Sequence, residues 1–67
     1  MQAQGIKEVV EKQPFRPFVV RLTNGAEYEF KQPRDIGAPR DYRWIYFFGE
    51  HESVRIDSDS IAEVIER

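Results

Sequence analysis

The stretch Phe18-Val19-Val20-Arg21-Leu22-Thr23-Asn24-Gly25-Ala26-Glu27-Tyr28-Glu29-Phe30 decides how this chain folds. Asn-Gly between two runs of alternating apolar and polar residues is the strongest short-range hairpin signal. Its register can be worked out from the side chains. A two-residue turn at Asn24-Gly25 would put Val20 opposite Glu29, pairing the apolar set of one strand with carboxylates. A one-residue slip moves a whole side-chain set to the other face, so that arrangement is a poor one. A three-residue loop, Thr23-Asn24-Gly25, sets Leu22 against Ala26, Val20 against Tyr28 and Phe18 against Phe30. Such a loop is a type I turn closed by a left-handed residue, a place glycine takes without steric cost. The expectation is a bulged hairpin with one buried face and one polar face.

Around that hairpin, 67 residues make a single domain, 1–67. A chain of this length buries only about 60% of its unfolded surface and needs help from disulfides, metal, self-association or dense packing. There is no cysteine, which excludes disulfides, thiolate metal sites and a cysteine nucleophile. Nine aromatic residues point to compact aromatic packing or self-association. No secretory segment or long apolar run is present, so a cytoplasmic protein that does not enter membranes is expected. The net charge of −2 is unevenly spread. Residues 16–43 carry a net +2 and residues 44–67 a net −4, an asymmetry able to steer one molecule against another.

Upstream of the hairpin, Ile6, Val9 and Val10 fall on one face of a short helix expected at about 3–12. Pro14 stops it, and Pro14-Phe15-Arg16-Pro17-Phe18 stiffens the passage into the first strand. Strands are expected at about 18–22, 26–31, 43–48, 51–57 and 62–66. Between the second and third, residues 32–41 hold two prolines and a glycine and read as an irregular loop. Trp44-Ile45-Tyr46-Phe47-Phe48 is apolar at every position, so both of its faces call for cover. One face should meet the core, and the other needs the N-terminal helix or a neighbouring copy. Ser60-Ile61-Ala62-Glu63 fits a helical capping box, and Ile61, Val64 and Ile65 have helical spacing. Few residues follow, however, and a turn at 57–60 leading to a closing strand is the preferred reading. The fold class is therefore mainly β with one short helix: a strongly bent five-stranded antiparallel sheet, or a small Sm- or SH3-like barrel.

Val19-Val20-Arg21-Leu22-Thr23-Asn24-Gly25, with Trp44 to Phe48 and Ile56 through Ile65, resembles the Sm-like small β-barrel family over most of residues 18–65. The Pro14-Phe15-Arg16-Pro17-Phe18 lead-in with its hairpin is also similar to a group of small uncharacterised bacterial proteins, a likeness that carries no function. The Sm resemblance implies a bent sheet, a ring built through the fourth and fifth strands, and RNA binding. Two departures stand out. Asp57-Ser58-Asp59-Ser60 occupies the place where the bacterial host-factor RNA chaperone carries a basic element, and would repel phosphate. The glycine expected in the second strand is missing, with Glu29 and Phe30 in that region.

For chemistry, His51 lies between Glu50 and Glu52, but consecutive strand residues point to opposite faces and cannot converge on a metal. Glu27/Glu29 and Asp57/Asp59 are carboxylate pairs without a nucleophile or a phosphate loop beside them. No catalytic, metal or cofactor site is therefore expected. The best binding candidates are Lys31, Arg34, Arg40, Tyr42, Arg43 and Trp44, basic groups around aromatic planes that suit phosphates and bases, interrupted by Asp35 and Asp41. Two functions are in view: a non-enzymatic module acting on itself or another protein, and an Sm-like RNA or single-stranded nucleic-acid binder.

Overall fold

A computed structural model describes residues 3–67. Helix α1 (Ala3–Val10) is followed by strands β1 (Phe18–Leu22), β2 (Glu27–Phe30), β3 (Ile36–Gly37), β4 (Trp44–Phe48), β5 (Ser53–Asp57) and β6 (Ile61–Glu66). They form two three-stranded antiparallel sheets, one in the order β2-β1-β6 and the other β3-β4-β5. The five-stranded bent sheet or closed barrel expected from the sequence is thus corrected to six strands in two sheets. The reason lies at the two crossings. Pro33–Asp35 and Ser58–Ser60 each form a 3-10 turn, and each interrupts the strand pairing as the chain changes sheets. Pro33 has no N–H to offer a ladder, which favours a break there. The loop at 32–41 also contains a two-residue strand, β3, too short to leave a periodic signal. The helix ends two residues earlier than expected, and β5 starts at Ser53 because residues 49–52 form the turn, closed by Gly49 N–H to Glu52 O at 2.8 Å.

The hairpin register is as derived. Phe18 lies opposite Phe30 and Val20 opposite Tyr28. Leu22 N–H donates to Ala26 O at 2.8 Å and Gly25 N–H to Leu22 O at 2.9 Å, closing the three-residue loop. Gly25 has φ 90°, and the Asn24 side chain accepts from Ala26 N–H at 3.0 Å. The register stacks the Phe18 and Phe30 rings at 5.0 Å between centroids. Phe30 in turn meets Phe47 edge-on at 5.3 Å, and Tyr28 meets Phe47 at the same distance, so the pair from one sheet grips a ring of the other. Ile6, Phe18, Val20, Phe30, Tyr42, Ile45, Ile56 and Ile61 form the core, drawing on the helix and both sheets. Each fully buried side chain of this size contributes about 1.5–3 kcal/mol of transfer free energy.

The polar face of the hairpin sheet is less uniform than the pattern implied. Val19 lies on it yet is only 4% exposed, because β1 is the central strand and Glu29 and Ile65 flank it. Arg21 on the same face bridges Glu27 on one side, at 3.0 Å, and Glu63 on the other. At the tail, the structure resolves the helical spacing into a bulge. Arg21 pairs with Glu63 but Leu22 with Ile61, leaving Ala62 unmatched. An extra residue in a strand turns the following side chains over. Hence Ile61 and Val64, three apart, both reach the core side without a helix.

Gly25 tests the hairpin. A Cβ there would meet nothing within 4 Å, so any cost is backbone alone. Gly25→Ala is expected to lower stability by about 1–2 kcal/mol, and Gly25→Asn, which tolerates the left-handed region, by less. Urea unfolding of the two variants measures the difference; equal losses would rule out the left-handed loop.

Candidate functional site

Starting from the six residues singled out above, β4 sorts them. Arg43 and Trp44 lie at its start, and Arg40 precedes them in the approach to that end. Lys31 and Arg34 lie at its far end, sharing a groove with Phe47, Phe48 and Gly49. Four residue rises along a strand separate the two groups by about 13 Å. The sequence set is therefore not one platform but two short groups. Arg43 leans toward Asp41, with 3.9 Å between charged atoms.

Tyr42 leaves the set altogether. It is buried in the core at 8% exposure, so its ring has no open face for a base. It holds a left-handed backbone, φ 54°, a strained choice for a non-glycine residue. Burial of its ring and a hydrogen bond from its hydroxyl to Glu11 Oε2 at 3.0 Å hold it there. Burial, the hydrogen bond to Glu11 and the charge of Glu11 all push its pKa above the ordinary 10.0. Tyr42 thus ties the loop before β4 to the segment after α1.

The structure assembles a second surface on β4, of which the site residues named from the sequence include only Trp44. Along β4, Ile45 and Phe47 turn inward, while Trp44, Tyr46 and Phe48 stand on the outer face. Their rings form a continuous row, Trp44–Tyr46 edge-on at 5.0 Å and Tyr46–Phe48 stacked at 5.8 Å. The Arg55 guanidinium lies 4.9 Å from the Trp44 ring centroid, and its Nε is 3.5 Å from Asp57. The Phe48 ring lies over Gly37 on β3; a Cβ there would come within 2.9 Å of it. The helix, one of the two covers expected for this face, packs through Ile6, Val9 and Val10 on the core instead. Phe48 is 45% exposed, the one large hydrophobic residue of the described chain to stand out in this way. The period-2 alternation within Trp44-Ile45-Tyr46-Phe47-Phe48 carried the signal for this row, in which Trp44 and Tyr46 are half-buried and Phe48 is exposed.

A second feature adjoins the Phe48 end of this row. A groove of about 600 Å³ runs between β2 and the β4–β5 turn, with Tyr28, Phe47 and Phe48 as its apolar part. Glu27, Glu29, Asp35, Glu50 and Glu52 are the acidic residues of its lining, against the cations Lys31 and Arg34. His51, at the tip of the turn, lies 4.0 Å from Glu50, and both side chains are solvated. Among the described residues no three potential metal ligands gather, and no helix is long and apolar enough to cross a membrane.

These features belong to a small, mainly β protein with one short helix. No known family, curated protein or solved structure matches the chain.

Tyr42→Phe measures the tie between loop and helix. Loss of the hydroxyl bond is expected to cost about 1 kcal/mol at neutral pH. The native tyrosine holds its proton where the unfolded chain has lost it. Its contribution is therefore complete below pH 10.0 and is lost as pH rises through the higher native value. Denaturation followed from pH 8 to 11 should show this alkaline loss in the natural chain and a shallower one in Tyr42→Phe.

Proposed function

We propose that this protein is a non-enzymatic interaction module that works by protein contact, with its own copies as the first partner. The observation that carries the reading is the outward aromatic row Trp44-Tyr46-Phe48 on β4, ending in the exposed Phe48 ring. A row of packed rings with a guanidinium at its end resembles the composition of protein-binding hot spots, which are rich in Trp, Tyr and Arg. Covering it removes apolar surface from water at about 25 cal/mol per Å², a gain that matters in a chain of 67 residues. The small core, without a disulfide, fits a protein that gains stability from association. A cytoplasmic location is part of the same proposal.

Kinship with the Sm-like proteins is a proposal about descent, supported by the N-terminal helix and the Asn24-Gly25 hairpin. Nucleic-acid binding is the second reading, favoured by the Arg55–Trp44 contact, since an aromatic plane with a guanidinium suits a stacked base. Asp57 beside Arg55 and the net charge of −2 weigh against it.

Sedimentation over a wide concentration range decides between them. The expected result is a mass that rises above one chain with concentration, and a shift of the association to at least tenfold higher concentration in Tyr46→Ser/Phe48→Ser. A single-chain mass at every concentration overturns self-association. A mass shift produced only by a mixed oligonucleotide pool, and abolished by salt, would establish the second reading instead.

A further inference from the structure

We infer that the outer edge of β2 accepts an extended peptide carrying alternating basic and apolar residues, added to the sheet as a further strand. This surface is separate from the outer row on β4, apart from the shared corner ring of Phe48, and its argument does not depend on self-association.

The first observation is the position of β2. It is an end strand of its sheet and, among the described residues, pairs only with β1. Antiparallel neighbours alternate between pairs that exchange hydrogen bonds and pairs that do not. Leu22 N–H bonds Ala26 O, so by this alternation the pairs Val20/Tyr28 and Phe18/Phe30 face inward with their backbone groups. The N–H and C=O of Glu27 and Glu29 therefore point away from β1, toward the open side of the strand. Main-chain groups of this kind are what an added strand uses.

The second observation is the groove beside that edge. Glu27, Tyr28 and Glu29 form one wall, and Phe47, Phe48 and the turn at Gly49–Glu52 lie across from them. A volume of about 600 Å³ admits a peptide segment of several residues. The apolar part of the groove is Tyr28 against Phe47, ring centroids 5.3 Å apart.

The third observation selects the occupant. Natural edge strands are blunted by shortness, proline, a bulge or charge, and the short strand Glu27–Phe30 has neither proline nor a bulge. Its protection is negative charge. Five acidic residues line the groove or its rim against Lys31 and Arg34, and of these Glu27 is already engaged by Arg21 on the outer face. A second copy would bring the same acidic edge and be repelled. A basic strand would be attracted. Side chains of an added strand alternate in direction. Those on the outer face would meet Glu27 and Glu29, and those on the inner face would meet Tyr28 and Phe47. The occupant thus reads as lysine or arginine at every second position with a β-branched or other apolar residue between.

The test uses the full chain, isotope-labelled for amide NMR, titrated with an alternating Lys-Val heptapeptide. Three comparisons accompany it: the Glu-Val counterpart, the Lys-Val peptide with alternate amides N-methylated, and the protein variant Glu29→Lys/Glu52→Lys. The expected result is shifts at Glu27, Glu29 and residues 49–52, with slowed exchange of the Glu27 and Glu29 amides. Affinity should fall at least tenfold with the Glu-Val peptide, with the N-methylated peptide and with the charge-reversed protein, whose circular dichroism should match the natural chain. Absence of binding at millimolar peptide overturns the proposal. So does equal binding of the acidic or N-methylated peptide, or shifts confined to Trp44 and Tyr46. Since the charge variant leaves the β4 row in place, failure here is distinguishable from failure of self-association in sedimentation.

Discussion

Everything in this molecule hangs on the pairing of Phe18 with Phe30 across the first hairpin. The three-residue loop and the left-handed Gly25 set the register that brings these two rings into a 5.0 Å stack. From that stack the Phe47 ring is reached edge-on, and through it the second sheet. A register shifted by one residue would set Val20 on the same face as Glu29, so that burying the apolar set of β1 would bury that carboxylate with it. In a chain with neither disulfide nor recognised metal cluster among the described residues, this aromatic chain joins the halves together with the aliphatic core of Ile6, Val20, Ile45, Ile56 and Ile61.

The two 3-10 turns are the second constraint. By breaking the strands at Pro33–Asp35 and Ser58–Ser60, they divide the pairing into two sheets that share one core. They are not loose connections. Ser58 N–H bonds Arg43 O at 2.9 Å, and Thr23 N–H bonds Ser60 O at 2.8 Å, so the second crossing is pinned to both sheets. The division decides which surfaces exist. With the helix packed on the shared core, the outer side of β4 is left bearing its aromatic row. With β2 at the end of its sheet, its backbone groups line an open groove. Both surfaces follow from the same topology, though neither depends on the chemistry of the other.

Much of the architecture was legible in residue order, and the misses have identifiable causes. The hairpin register, the helix face of Ile6, Val9 and Val10, and the closing strand could be read from periodicity. The closing strand was nearly hidden, because the Ala62 bulge gives Ile61 and Val64 the spacing of a helix. The two-residue strand β3 was not legible, being shorter than any periodic window. The candidate site fared worse. Lys31, Arg34, Arg40, Tyr42, Arg43 and Trp44 are near one another in sequence, but a five-residue strand carries Lys31 and Arg34 away from the others, and Tyr42 turns inward. Arg55, which meets Trp44, is eleven residues away in sequence and is brought there by the β4–β5 pairing.

By itself, then, the amino-acid order determined the local matters: where strands alternate, where the chain must turn, and which register a glycine permits. These are short-range effects of backbone sterics and side-chain period, and they need no knowledge of distant neighbours. Only the tertiary structure decided which of two apolar faces of β4 is covered, which strand edge is left open, and that Tyr42 belongs to the core. Those outcomes depend on where the helix docks and where the sheet divides. They are settled by packing between segments far apart in the chain, for which the sequence carries composition but no distance.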